Sequence, residues 1–222
     1  MLDQSTPWLL LPVKSLLRGK RRLAPLLNPL ERRDLNEYFL RRTVKIAAEF
    51  PGIQRTAVIS EADDTLTLAR ELGVYTIRQT DGRGLNRAVT QGTRELYAHG
   101  ARTLLILPID LPFLLTHDLC EIATLGRQLE VVICPDKHHA GTNAIVFSAP
   151  TSMRFSFGPG SYLQHQHETQ RCGLAPHLYY NPRIARDIDL PEDLIDPRDQ
   201  ALLLASVLRP VDSSSVGLWQ KL

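Results

Sequence analysis

With 222 residues and a formal net charge of +2, the chain is long enough to bury a substantial core and too nearly neutral for a general nucleic-acid coat. Cys120, Cys134 and Cys172 are an odd number without CxxC spacing, which argues against a disulfide framework or a zinc site and for a reducing, cytoplasmic setting. The apolar run Trp8–Val13 is too short to span a bilayer and lacks the basic leader of a signal peptide.

No linker divides the chain, so residues 1–210 are expected to form one domain followed by a loose tail over 211–222. Trp8-Leu9-Leu10-Leu11-Pro12-Val13 reads as a first buried strand ending at Lys14. The loop behind it sets Lys14, Arg18, Lys20, Arg21 and Arg22 around Gly19, whose missing side chain permits close backbone approach. Such a loop suits a triphosphate, but it lacks the GxxxxGK[ST] spacing and reads as readily as a solvated surface. Asn28, Pro29 and Glu31 open a helix as N-cap, first residue and capping-box partner. Leu35, Phe39, Thr43, Ile46, Ala47 and Phe50 form its apolar stripe, and Pro51-Gly52 ends it. A strand over Thr56–Ser60, a helix over Thr65–Leu72 closed by Gly73, and a strand over Val74–Ile77 complete a β-α-β-α-β order. Right-handed crossovers make that a parallel sheet.

The glycine-rich loop through Gly84-Leu85-Asn86 precedes a helix over Arg87–His99; its amides suit a base or a phosphate, or simply a tight turn. The central strand starts at Leu104 and runs toward Asp110, bracketed by Pro108 and Pro112. Proline cannot donate to a ladder, so the chain bends around the aspartate at the carboxyl edge of the sheet, where ligands of open parallel sheets sit. Asp110 is therefore either a metal-binding carboxylate over nucleotide phosphates or a residue that caps its own loop. A helix over Thr116–Leu125 and strands over Val131–Cys134 and Ala144–Ser148 follow. Between those strands, His138 and His139 have no spaced partner and fit substrate-lining or surface positions better than metal ligation. In Phe155–Ser161, Gly158 and Gly160 leave amides unobstructed where a helix through Cys172 begins, as an anion-binding N-terminus or an ordinary serine cap. After a strand over His177–Tyr180, Asp187 and Asp189 point the same way if extended. With Asp110 they offer the hard oxygens that Mg²⁺ prefers. Pro191 starts a short helix, and a last helix is expected near Asp196–Asp199.

Taken in order, Leu11–Lys14, Lys20–Pro25, Gly84–Asn86, Leu107–Pro112, Gly141–Asn143, Phe155–Ser161 and Asp187–Asp189 closely resemble the guanylyltransferases of coenzyme F-420 biosynthesis. These sit within the glycosyltransferase-A-like nucleotidyltransferases that include the molybdenum-cofactor enzymes, and the resemblance spans Leu9 to Leu194. It implies an α/β fold, three-layer and Rossmann-like, with a mostly parallel central sheet and helices on both faces. It further implies transfer of GMP from GTP to a three-carbon phospho-acid with release of pyrophosphate. The acid is 3-phospho-D-glycerate, phosphoenolpyruvate or 2-phospho-L-lactate, with Mg²⁺ as cofactor and GTP as co-substrate. A separate F-420 transferase would take the product; nucleic acid and membrane are not implied partners, and a homodimer is compatible.

By position, the resemblance makes Asp110, Asp187 and Asp189 the metal-binding aspartates and Lys14, Lys20 and Asp110 the catalytic group. Pro12, Val13, Lys14, Arg18, Lys20, Arg22, Gly84, Leu85, Asn86 and Pro108 match the nucleotide site, and Thr142, Asn143, Gly158, Gly160 and Ser161 the phospho-acid site. The chain departs from the pattern at Leu190, where many relatives have Thr, and at the bulky Ile109. A nucleotidyltransferase for another phosphorylated cofactor precursor, of molybdopterin type, and a non-catalytic nucleotide-binding regulator remain alternatives.

Overall fold

The computed structural model describes residues 6–148 and 152–195; the expected last helix and tail lie outside the described residues. Its strands are β1 (Trp8–Pro12), β2 (Thr56–Ser60), β3 (Tyr75–Arg78), β4 (Thr103–Ile106), β5 (Val131–Pro135), β6 (Thr142–Ser148) and β7 (Pro176–Leu178). The helices are α1 (Pro29–Glu49), α2 (Asp63–Glu71), α3 (Leu85–Ala98), α4 (Thr116–Gln128), α5 (Ser161–Arg171) and the short α6 (Pro191–Ile195). One sheet holds all seven strands in the order β3-β2-β1-β4-β6-β5-β7. Only β6 runs against its neighbours β4 and β5; the other pairings are parallel.

Alternate residues of the central strands pack on opposite faces, as the two-residue period of a strand requires. Leu9, Leu11, Val58, Leu105, Val132 and Val146 point toward the side covered by α1, α2 and α4. Leu10, Ile59, Leu104, Ile106, Ile145 and Phe147 point toward α3 and α5. The result is the expected three-layer sandwich. The entry into α1 is as the sequence predicts: Asn28 Oδ1 accepts from the backbone N–H groups of Leu30 and Glu31, and the Glu31 carboxylate accepts from Asn28 N at 2.7 Å.

The topology brings the candidate site residues to one edge of the sheet. From β1 the chain steps outward to β2 and β3, then returns past β1 to form β4 on its other side. The connections leaving β1 and β4 therefore diverge, opening a crevice at the carboxyl ends of two adjacent strands. Because β6 is antiparallel, its first residues, Thr142 and Asn143, arrive at that same edge. The loops after β1, β3, β4, β5 and β7 meet there as well. One expectation shifts: β4 stops at Ile106, four residues before Asp110. Leu107 N still donates to Leu10 O at 3.1 Å, but Pro108 has no N–H to continue the ladder, so Asp110 is carried by a loop.

Candidate active site

The crevice between β1 and β4 is bridged by a buried cation. Lys20 adopts a left-handed backbone conformation (φ 52°) at the end of the loop after β1, and its side chain is only 7% exposed. Its ammonium donates to Asp110 Oδ2 and, at 3.4 Å, to Asp189 Oδ1. Burial alone would lower the lysine pKa; the Asp110 carboxylate, by charge and by hydrogen bond, outweighs it, and with Asp189 and Asp187 holds the ammonium above its ordinary value. Arg22 reaches the other oxygen of Asp189 at 2.8 Å. Ile188 N donates to Asp110 O at 3.1 Å, which pins the segment after β7 against the loop after β4.

Asp187 accepts from Asn143 Nδ2 at 3.1 Å. Burial first, and the negative charge of Asp110 second, push its carboxyl pKa up against that hydrogen bond. The segment is stiffened from behind by Asp193, which accepts from Asp189 N at 2.9 Å, Leu190 N at 2.7 Å and Lys137 Nζ at 2.6 Å. Asp193 was not singled out in the sequence, although a carboxylate three residues after Leu190, early in α6, is the available signal.

The basic loop is shaped by its neighbours. Ser15 Oγ and Leu17 N donate to Asp64, and Thr65 Oγ1 donates to Lys14 O. Gly19 is required by packing against protein: a Cβ there would lie 2.6 Å from Asn36 Nδ2, which donates to Leu16 O. Lys14, Arg18 and Arg22 stand exposed around the buried Lys20, while Pro12, Val13 and Pro108 line the strand ends beneath them.

Two asparagines expected to meet ligands are engaged within the protein. Both ends of the Asn86 amide bind one residue: Oδ1 accepts from Phe157 N at 2.6 Å and Nδ2 donates to Phe157 O at 3.2 Å. Asn143 Nδ2 is shared between Ile184 O and Asp187. Asn86 thereby joins the Gly84-Leu85 loop to Phe155–Ser161, and Asn143 joins β6 to the acidic segment.

In the Phe155–Ser161 loop, Gly158 (φ 131°) and Gly160 (φ 75°) hold backbone conformations that side chains disfavour. Gly160, not Ser161, is the N-cap of α5, and it caps through no side chain. Ser161 is the first helical residue, and its Oγ is buried with no partner among the described residues, so its hydroxyl does not serve as an ordinary cap. On β6, Thr142 Oγ1 lies 2.9 Å from Nδ1 of His165, a fully buried residue one helical turn below Ser161. His139 is an exposed residue stacked on Tyr180 at 5.4 Å, and His138 is exposed beside it.

The expected trio Asp110, Asp187 and Asp189 is gathered at one edge but is not a preformed cage. Among the described residues no three carboxylate, imidazole or thiol groups are placed to hold an ion together. The physical reason is that Asp189 is turned to Lys20 and Arg22, and Asp187 to Asn143. One oxygen is nevertheless unclaimed: Asp110 Oδ1 is buried without a hydrogen-bond partner among the described residues. Magnesium takes one or two protein carboxylates beside phosphate oxygens and water, so this oxygen-only donor set fits it.

A buried lysine among carboxylates and an exposed basic loop, both at the switch point of a mostly parallel sheet, are what a nucleotidyltransferase requires to hold a triphosphate. Solved structures bear out the fold. A candidate nucleotide-diphospho-sugar transferase from Desulfovibrio desulfuricans superimposes with a TM-score of 0.68 over 96% of both chains at 14% identity. CMP:2-keto-3-deoxy-manno-octonic acid synthetase does so with 0.60 over 90% of this chain and 98% of its own at 12% identity.

Residues 8–197 match the family model described as guanylyl transferase CofC like, and the chain belongs to that family. A phosphoenolpyruvate guanylyltransferase of Rubrobacter xylanophilus is 39% identical over 82% of this chain and 89% of its own length. A 2-phospho-L-lactate guanylyltransferase of Methanobrevibacter smithii is 28% identical over 83% and 80%. No described helix is long and apolar enough to cross a membrane.

Proposed function

We propose that the protein transfers GMP from GTP to the phosphate of phosphoenolpyruvate or 2-phospho-L-lactate, with 3-phospho-D-glycerate as the third acid to be tested. A phosphate oxygen of the acid attacks the α-phosphorus of GTP, the bond to the β-phosphate oxygen breaks, and pyrophosphate leaves. The attacking oxygen is already anionic at neutral pH, so neither a side-chain nucleophile nor a strong base is needed. What the site must do is bring two polyanions into line. At an effective dielectric of about 20, unit charges about 4 Å apart repel by about 4 kcal/mol, so several uncompensated pairs would prevent the encounter.

In this reading Lys20, Arg22, Lys14 and Arg18 offset the triphosphate charge and stabilise the departing pyrophosphate. The loops around Pro12, Val13, Gly84, Leu85 and Pro108 hold the nucleoside. Thr142, Ser161 and the amides at Gly158 and Gly160 receive the phospho-acid. When bound at Asp110 with Asp187 or Asp189, Mg²⁺ would supply charge neutralisation at the phosphates. The observation that carries the proposal is the arrangement on β6. Consecutive residues Asn143 and Thr142 bind Asp187 in the acidic segment and His165 one turn into α5, which supports a reading in which one strand links the metal and phospho-acid halves of the site. A guanylylated acid of this kind would serve a later transferase in coenzyme F-420 biosynthesis.

The test is mass spectrometry of products formed from GTP with the three acids in competition. A guanylylated phosphoenolpyruvate or phospholactate is expected; pyrophosphate release with none of the three acids, or only with a phosphorylated pterin, would refute the proposal.

A further inference from the structure

His165 has been given no task of its own beyond its contact with Thr142, yet it is fully buried at the junction of β6, α5 and the Phe155–Ser161 loop. Its two ring nitrogens are both engaged. Ser156 N donates to Nε2 at 3.0 Å, and Nδ1 faces Thr142 Oγ1 at 2.9 Å. A backbone N–H can only donate, so Nε2 presents its lone pair and the ring proton of the neutral imidazole is on Nδ1. That proton is given to Thr142 Oγ1. The Thr142 hydroxyl is thus an acceptor toward the ring, and its own hydrogen has no acceptor among the described residues. Burial, opposed only in part by the charge of Glu168, pushes the His165 pKa down to about 4, which keeps the ring neutral near pH 7. The Phe157 ring packs against the imidazole edge-on at 4.8 Å and holds its plane.

We propose that His165 is a positioning residue for the phospho-acid: by donating from Nδ1 it commits the Thr142 hydroxyl to donate into the site, toward an anionic oxygen. This rests on the function proposed above. The opposite tautomer would let Thr142 spend its hydrogen on the ring and present only lone pairs to an anion. Ser161, one helical turn before His165 on the same face of α5, adds a second buried hydroxyl, whose oxygen has no partner among the described residues. The bond from Ser156 N also fixes the loop bearing Gly158 and Gly160 to the same ring. One imidazole therefore sets both the polarity of the strand's hydroxyl and the position of the loop's amides.

Two substitutions separate these tasks. His165→Gln places an amide oxygen near the Nε2 position, where it accepts from Ser156 N, and removes the donor to Thr142. His165→Asn keeps a donor near the Nδ1 position and abandons Ser156. The expected result for His165→Gln is a rise of about 10-fold in KM for the phospho-acid, with KM for GTP within about twofold and kcat little changed, because a transition-state contact is not what is lost. His165→Asn recovers part of that loss. Thr142→Val raises the acid KM similarly, and adding His165→Gln to it brings no further rise, since the ring acts through the hydroxyl.

Independent losses in the double variant, or equal increases in KM for GTP, would overturn the proposal. Nitrogen-15 spectra of the free protein, with the signal assigned by its absence in His165→Gln, give a reading that needs no turnover. A neutral ring protonated at Nδ1 at pH 7 supports the proposal, and one protonated at Nε2 overturns it. A wild-type enzyme that turns over none of the acids removes the functional reading and this role together. Normal wild-type turnover with additive losses removes this role alone.

Discussion

Replacing Asn86 with Ala tests whether the nucleoside loop and the phospho-acid loop act as one body. The Asn86 amide makes two bonds to Phe157, one through each end, at 2.6 and 3.2 Å. Truncation leaves the N–H and C=O of Phe157 unpaired at a partly buried position. Two lost hydrogen bonds at about 0.5–1.5 kcal/mol each give a destabilisation of about 1–3 kcal/mol. For a chain of this size that is a fall in Tm of roughly 2–4 °C per kcal/mol, or about 2–12 °C in all.

The Phe155–Ser161 loop is not released, because Ser156 remains tied to His165. Of its described hydrogen-bonded ties to the rest of the chain, the one to Asn86 is lost and the one to His165 is kept. The expected kinetic signature in a pyrophosphate-release assay is a several-fold rise in KM for the acid together with the lowered Tm. An Asn86→Ala protein with unchanged Tm and acid KM, and with KM raised for GTP alone, would refute this reasoning. The amide would then read the base directly, as the sequence resemblance implies.

Three further outcomes follow from the structure. Lys20→Met removes the buried cation between Asp110 and Asp189, and kcat should fall by about 10²-fold or more; full activity in that variant would detach the lysine from the chemistry. Asp118, fully buried, accepts from Arg183, Asn181 Nδ2 and Leu115 N, so Asp118→Ala leaves the half-exposed Arg183 uncompensated. A loss of about 2–4 kcal/mol in urea unfolding is expected, with kcat retained at low temperature; a loss below about 0.5 kcal/mol would contradict the pairing.

His165, at a pKa of about 4 in the folded protein against 6.5 ordinarily, stays neutral where the unfolded chain takes up a proton. Its contribution, about 3 kcal/mol, is complete above pH 6.5 and is lost as the pH falls through 4. His165→Gln should therefore flatten the acid limb of the stability profile, as measured by denaturant unfolding at pH 7 and 4.5, and an unchanged profile would refute it.

Elements whose signals are local were legible in the sequence. Thr56–Ser60 has the boundaries of β2, and the Asn28-Pro29-x-Glu31 pattern forms the capping box of α1, because both depend on residues within a few positions of one another. The carboxylates and cations of the site were visible as residue types, and their convergence followed from the strand order. Their pairings were not, since Lys20 meets Asp110 across 90 positions and Asn86 meets Phe157 across 71.

The partners of the two asparagines were hidden for the same reason: Asn86 meets Phe157, and Asn143 meets Ile184 and Asp187, across 41 to 71 positions of chain. His165 left no mark at all, because its role is fixed by what Thr142 and Ser156 place at its two nitrogens. Asp136 is similar. Its carboxylate accepts from His138, Ala140 and Gly141 N and shapes the turn between β5 and β6, which brings Thr142 to the functional edge.

The most direct test of the whole account is pyrophosphate release from GTP and phosphoenolpyruvate or phospholactate by Asp110→Asn at saturating Mg²⁺, with folding verified by thermal unfolding. Activity at least about 10²-fold below wild type in a folded protein is the predicted result. Near-normal turnover would contradict the claim that phosphates meet at the crevice between the first and central strands.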